Sequence, residues 1–343
     1  MKATRTVLYG VWAAVFALGV YGLFGRFTGG HELAGYGSYV PWGLWVAAYL
    51  YFVGLAAGAF LLAALVQTLR LESLKSVVPT ALYTALSSLV VGIAAIGLDL
   101  GRMGRAINVF TSPRFTSVMT WLVWLYTALF VLMVAIALHT RAGRTGTVKT
   151  LYTIGLPLSV ILPGAGGALF AALPANPYWH QPLYPILFIV GAALSGVGLV
   201  TALTAWMAPI RTAALRPLGR ALLALMATYV LLEVAEYSIP LWYGVRPEGE
   251  ALLQVLTGPH AWVFWGVHVA LGLVIPAFLL WSRPGSASSV GWAGALAAVG
   301  FFAVRLNIVI PGQLTPGVPG LETAFFDPRL TFSYTPTSNE WFV

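Results

Sequence analysis

Apolar residues in this chain fall in long unbroken blocks rather than in alternation. Nine stretches are dominated by Leu, Val, Ala, Ile, Phe, Gly and Trp: 7–25, 44–69, 77–98, 118–138, 150–173, 183–206, 218–242, 259–281 and 288–310. A helix rises about 1.5 Å per residue, so each block is long enough to cross a hydrocarbon core roughly 30 Å thick. A membrane barrel would show short segments of alternating polarity instead. The pattern predicts an all-α membrane protein of about nine transmembrane helices. The first block follows Lys2 and Arg5, as in a signal peptide, but its run is long and no A-x-A site follows. It is therefore expected to be a helix.

Composition sharpens this. Of 343 residues, 18 are Lys or Arg and 10 are Asp or Glu, so 8% are charged against about 25% in ordinary soluble domains. With 59% hydrophobic residues and a mean hydropathy of +0.86, both a soluble globular domain and a disordered chain are excluded. Cysteine is absent. The chain thus supplies no thiolates for an iron–sulfur cluster and no CxxCH for covalent haem. His260 and His268 share one span and no second mid-span His faces them, so a b-type haem is not expected.

The net charge of +8 is read through membrane topology rather than nucleic acid. With the N-terminus in the cytoplasm, the inside segments hold eleven cations: Lys2, Arg5, Arg70, Lys75, Arg141, Arg144, Lys149, Arg211, Arg216, Arg220 and Arg283. The outside segments hold six: Arg26, Arg102, Arg105, Arg114, Arg246 and Arg329. Nine crossings put the tail 311–343 outside the cell. Its Pro, Gly and Thr content argues against helix, while Phe325, Phe326, Phe332, Tyr334, Trp341 and Phe342 argue for an ordered arm packed on something. The outside loop AALPANPYWHQPL, 171–183, has the same character.

Ionisable groups within membrane spans are costly and mark function. They are few: Asp99 at the end of the third span, Glu233 and Glu236 in the seventh, His268 in the eighth, and Arg305 with Asn307 in the ninth. Tyr49 lies in the outer half of the second. Glu233 and Glu236 share a helix face at i, i+3. All but His268 and Glu233 gather toward the outer side. Such a set can relay protons or bind a polar head group; equally, Glu236–Arg305 can be an ion pair that only glues helices, and Asp99 can pair with Arg102 or Arg105. His31, His139, His180 and His260 fall in loops or at span ends.

Four segments carry a resemblance. GSYVPWGLWVAAYLYFVGLAAG (Gly37–Gly58), DLGRMGR (Asp99–Arg105) followed by Ser117–Trp121, PYWHQPLYPILFIVG (Pro177–Gly191) and RLNIVIPGQ (Arg305–Gln313) together resemble the NrfD/PsrC family, in the manner of its larger DsrP- and HybB-like members. The resemblance implies two four-helix bundles, about 44–173 and 183–310, plus a peripheral N-terminal helix, and in larger members a tenth helix beyond the segment matching Tyr334–Glu340. It implies a quinone-reactive subunit of the prokaryotic cytoplasmic membrane that holds no redox metal. The quinone, menaquinone or ubiquinone, would sit near the outer face. Partners would be an iron–sulfur electron-transfer subunit and a catalytic subunit of the molybdopterin or multihaem kind. The family acid falls on Asp99, the following basic residue on Arg102, and the polar position of the first core helix on Tyr49. Those three and His31 are the expected quinone-binding residues, since a quinone taking two electrons also needs hydrogen-bond donors and protons. Glu233, Glu236, His268 and Arg305 are the expected proton relay.

Two other readings compete. A secondary transporter or proton channel would also bury acids and an arginine, but would favour broken helices and mid-membrane polar groups; Gly164–Gly167 is the one Gly-interrupted candidate. A purely structural anchor would need none of these residues for turnover. The small residues Gly54, Ala56, Ala57 and Gly58 leave room for a flat ring or simply let helices approach closely.

Overall fold

A computed structural model describes residues 2–207, 212–244, 248–318, 320–327 and 329–343, without the side chains of 2–9, 11, 12 and 212. No strand occurs among the described residues. The long helices are α1 (Lys2–Gly29), α2 (Leu44–Thr68), α3 (Val78–Asp99), α4 (Val118–Arg141), α5 (Thr145–Ala171), α6 (Tyr184–Met207), α7 (Thr212–Tyr243), a short α8 (Glu248–Thr257), α9 (Val263–Ser282) and α10 (Ala287–Val309). Eight helices among the described residues, α2 to α7, α9 and α10, are long and apolar enough to span a membrane. They coincide with eight of the nine expected spans. The expected first span, 7–25, lies in α1 but begins on residues whose side chains are outside the description. Arg211 and Arg246, part of the charge asymmetry, also lie outside the described residues.

The centre is made by α2 and α6, the most deeply buried spans. They cross closely because the contact is small: a Cβ on Gly58 would strike the carbonyl of Ala192, and one on Gly196 would strike the backbone of Ala59. Around them α2 packs on α3 and α5, while α6 packs on α5, α7 and α10, and α10 on α9. Helix α5 runs unbroken through Gly164–Gly167, despite Pro157 and Pro163. From Val263 to Val274, α9 is a π-helix, a rare widened form that is frequent at functional sites.

Successive spans alternate in direction, so the connections fall on two faces. One carries Arg70, Lys75, Arg141, Arg144, Lys149, Arg216, Arg220 and Arg283. We call it the basic face. The other, the tail face, carries the end of α3, the 171–183 loop and the tail.

The tail corrects one expectation. It is not free of helix: Pro311–Leu314, Leu321–Ala324 and Ser338–Phe342 each form a short helical turn. The last, α11 (Ser338–Phe342), starts from a capping box in which Thr337 Oγ1 accepts from the Glu340 amide and Glu340 Oε2 accepts from the Thr337 amide. It packs against α1, where Asn339 Nδ2 donates to the Gly22 carbonyl at 3.0 Å. The arm packs only in part: Tyr334 and Glu340 are buried, whereas Phe325, Phe326 and Trp341, expected to pack, are exposed.

Candidate functional site

Two polar clusters occupy different depths. The first forms at the tail face, where α3 ends. Arg26, at the end of α1, donates from Nε to the Leu98 carbonyl at 2.8 Å and from Nη2 to the Leu100 carbonyl at 3.0 Å. It thereby caps the helix end that carries Asp99. The guanidinium also lies 5.8 Å from the Trp45 ring centre. Beside it, His31 and Tyr36 pack 5.1 Å apart by ring centres, and Tyr36 packs 6.2 Å from Trp45. Asp99 Oδ1, His31 Nε2, Tyr36 Oη and Trp45 Nε1 are all buried and lack a short, well-aligned hydrogen bond, although the Tyr36 hydroxyl lies near enough to the Asp99 carboxylate to interact with it. Asp99 forms no ion pair with Arg102 or Arg105, both of which are exposed. Burial, with Asp99 adding to it, pushes the Tyr36 phenol well above its ordinary range, so it stays a protonated donor.

The tail closes this cluster from outside. Tyr334 donates to Glu340 Oε1 at 2.6 Å and accepts the Leu44 amide at 2.8 Å. Glu340 Oε2 accepts the Gly35 amide at 2.8 Å. Gly43 is required where Tyr36 and Tyr334 converge, because a Cβ there would strike both rings. Of the expected quinone residues, Asp99 and His31 are thus brought together. Tyr49 is buried one turn deeper than Trp45 on the same face of α2. Arg102 stands apart on the exposed loop.

The second cluster lies within α7, α9 and α10. His268, fully buried in the π-helical turn, places Nε2 3.0 Å from Glu233 Oε2. Its Nδ1 has no partner. Glu233, Glu236 and His268 line one small cavity of about 10 Å³, roughly one water molecule in size, with Tyr178, Tyr237 and Asn307. A second cavity of about 10 Å³ continues from Tyr178, Glu236 and Tyr237 to Glu248 in α8, toward the tail face. Tyr178, Glu236 and Tyr237 thus line both cavities, one holding His268 and the other Glu248.

Arg305 is buried on α10, with Nη2 3.5 Å from the Phe188 carbonyl and its guanidinium carbon 3.9 Å from the Phe188 ring centre. It does not pair with Glu236: no described carboxylate lies within 4.0 Å of it. Gly54 of α2 and Gly191 of α6 make room for it.

Pro311 ends α10 and removes the amide that would pair with the Asn307 carbonyl. Tyr178 Oη takes that carbonyl at 3.0 Å, Trp179 Nε1 takes Ile308 at 2.7 Å, and Asn176 Nδ2 takes Gly312 at 2.9 Å. The 171–183 loop is therefore the cap of α10. Gln313 continues the lock, donating to the Trp42 carbonyl at 2.8 Å and accepting the Trp42 amide at 3.1 Å.

Arg26, Tyr36 and Glu340 were not expected as site residues. Arg26 lay at the end of a helix read as peripheral, and Glu340 in a tail read for its aromatics. The T-x-x-E spacing of Thr337 and Glu340 was the available signal.

The model of the polysulphide reductase NrfD family matches residues 32–317. The chain belongs to the NrfD polysulphide reductase family. It is 27% identical to a selenate reductase subunit of Mesobacillus selenatarsenatis, over 98% of this chain and 89% of that protein. It is 29% identical to the Hdr-like menaquinol oxidoreductase integral membrane subunit of Archaeoglobus fulgidus, over 96% of this chain and 86% of that one. Against Protein NrfD of Escherichia coli the identity is 27%, over 80% of this chain and 95% of that protein. The NrfD match spans both clusters except for Arg26, His31 and the tail beyond 317.

Proposed function

We propose that this NrfD-family chain is the quinone-reactive membrane subunit of a multi-subunit oxidoreductase, exchanging electrons between the membrane quinone pool and an iron–sulfur partner docked on the tail face. One observation carries the reading. Asp99 Oδ1, His31 Nε2, Tyr36 Oη and Trp45 Nε1 converge at the end of α3, buried and without short, well-aligned hydrogen bonds, the Tyr36 hydroxyl facing the Asp99 carboxylate. Buried polar atoms are normally satisfied, and this set suits a ligand with carbonyl oxygens between apolar faces. The named menaquinol oxidoreductase and selenate reductase relatives point the same way.

A quinone bound here supplies two-electron, two-proton carrier chemistry. The Tyr36 hydroxyl and the His31 ring nitrogen orient its oxygens by hydrogen bonding, with Tyr49 below them. Asp99 holds or passes the proton, and Arg26 fixes the helix end that positions Asp99. The aromatic wall of Tyr36 and Trp45 excludes water. Menaquinone is favoured over ubiquinone by the named relative alone. Arg102, exposed on the surface, suits partner docking better than quinone contact.

Glu233, Glu236 and His268 form the proton relay, and Arg305 sets the field around it. We read the helices as two four-helix bundles, 44–173 and 183–310, with α1 outside them and 311–343 as an extracytoplasmic arm. The basic face is cytoplasmic in this reading. The membrane is then the prokaryotic cytoplasmic membrane. A concavity of about 300 Å³ on the tail face, between the 38–41 and 175–179 loops and Gly312–Gly317, offers the iron–sulfur partner a place to dock.

The test is quinol turnover by the purified complex. Asp99→Asn and His31→Gln should each lower the rate by roughly 100-fold without loss of assembly. Unchanged turnover in both would leave a structural anchor as the better reading.

A further inference from the structure

The basic face carries two cavities that the quinone chemistry does not use. The larger, about 300 Å³, opens between the basic ends of α3, α4 and α5. Lys75, Arg144 and Lys149 stand at its rim, and Val78, Leu82 and Tyr152 form a buried apolar floor. No carboxylate lines it. The nearest, Glu72, pairs with Lys75 at 2.6 Å and points largely to solvent. The rim therefore keeps an excess positive charge, centred on Arg144 and Lys149. The second cavity, about 240 Å³, repeats this design in the other half of the molecule: Arg216 and Arg220 stand over Leu223 and Leu280, again with no carboxylate.

We propose that the cavity of Lys75, Arg144 and Lys149 binds an anionic phospholipid, its phosphate on the cations and the start of an acyl chain on the apolar floor. Three features select a lipid over a free oxyanion. The cavity lies at the ends of spanning helices, the depth at which phosphate gives way to acyl chain. Its floor is aliphatic and aromatic carbon, which a soluble anion would leave uncovered. Tyr83, on its wall, is half exposed on the outer surface of α3, so the cavity is open sideways. Charge complementarity then favours phosphatidylglycerol or cardiolipin over zwitterionic lipids.

The probe is the full chain in nanodiscs of phosphatidylcholine containing a minor fraction of phosphatidylglycerol. Lipid retained after detergent extraction is read by native mass spectrometry. Phosphatidylglycerol should be retained selectively, and the variant Lys75→Gln/Arg144→Gln/Lys149→Gln should lose that selectivity. Exposed Lys149→Gln alone, which leaves the fold intact, should lower it about five-fold, the factor equivalent to roughly 1 kcal/mol per cation. Equal retention of both lipids, or undiminished selectivity in Lys149→Gln and the triple variant, would overturn the proposal. So would inorganic phosphate protecting Lys149 from amine labelling in pure phosphatidylcholine discs as well as phosphatidylglycerol does, since the site would then be one for free anions.

Discussion

Tyr334 gives its phenolic hydrogen to Glu340 at 2.6 Å while its oxygen takes the amide of Leu44, the first residue of α2, at 2.8 Å. Burial and that bond to Glu340 push the Tyr334 phenol well above its ordinary range, so it remains a donor. The same Glu340 carboxylate satisfies the Gly35 and Thr337 amides. One tail side chain thus ties together the segment before α2, the start of α2 and the last helical turn. Glu340→Ala strands one buried and two part-buried donors and should cost about 2–3 kcal/mol. Thermal unfolding in detergent should show the loss, and Glu340→Gln, which keeps one acceptor oxygen, should recover part of it.

Tyr36→Phe removes the hydroxyl that faces Asp99 and keeps the ring between His31 and Trp45. Stability should change by about 1 kcal/mol or less, because only the weak contact of the hydroxyl with Asp99 is lost. Quinol turnover should fall, with a raised KM if Tyr36 only binds the head group and a lowered kcat if it also helps proton transfer. Steady-state kinetics of the purified complex with a soluble naphthoquinol separates the two. Wild-type values for both constants would remove Tyr36 from the site.

The spans were legible because lipid imposes one strong rule, an apolar run near 20 residues, and α2 to α7, α9 and α10 obey it. The scarcity of charge likewise singled out Asp99, Glu233, Glu236, His268 and Arg305. Partnership was less legible. Glu236–Arg305 reads as a natural ion pair, yet the histidine is the partner, of Glu233, and Arg305 turns to the Phe188 carbonyl and ring. Helical spacing places residues on a face but does not say which neighbouring helix that face meets. The tail was misread as free of helix because Pro and Gly dominate it; local hydrogen bonds from Thr337 and Glu340 outweigh that tendency over a single turn.

The crossing of α2 and α6 makes a sharp structural prediction. Gly58→Ala puts a methyl group into the Ala192 carbonyl, with Gly196 opposite Ala59 leaving no slack. The backbones must separate, which should cost about 1–3 kcal/mol. Gly97→Ala, where nothing lies within 4 Å of the new methyl, is the control and should leave the melting temperature near wild type.

Glu236 stands between the two water-sized cavities and lines both. If protons cross here, Glu236→Gln should interrupt transfer between the His268–Glu233 pair and Glu248 while sparing the Asp99 cluster. Reconstituted complex should then keep most of its quinol turnover and lose proton uptake into or release from vesicles. Pumping equal to wild type would remove the relay.

Arg305 separates stability from function. Among the described residues this buried cation has no carboxylate within 4.0 Å and is held by a long hydrogen bond and an aromatic face. Replacing such a charge by an apolar chain of similar length relieves a desolvation penalty that no ion pair offsets. Arg305→Met should therefore melt at or above the wild-type temperature. An arginine kept only as glue would give the opposite result, a clear loss of stability. Because the positive charge lies beside Tyr229 and near the Glu233–His268 pair, its removal should also slow proton transfer. A variant that is more stable and less able to move protons would show that the charge is retained for the chemistry of the second cluster rather than for the fold.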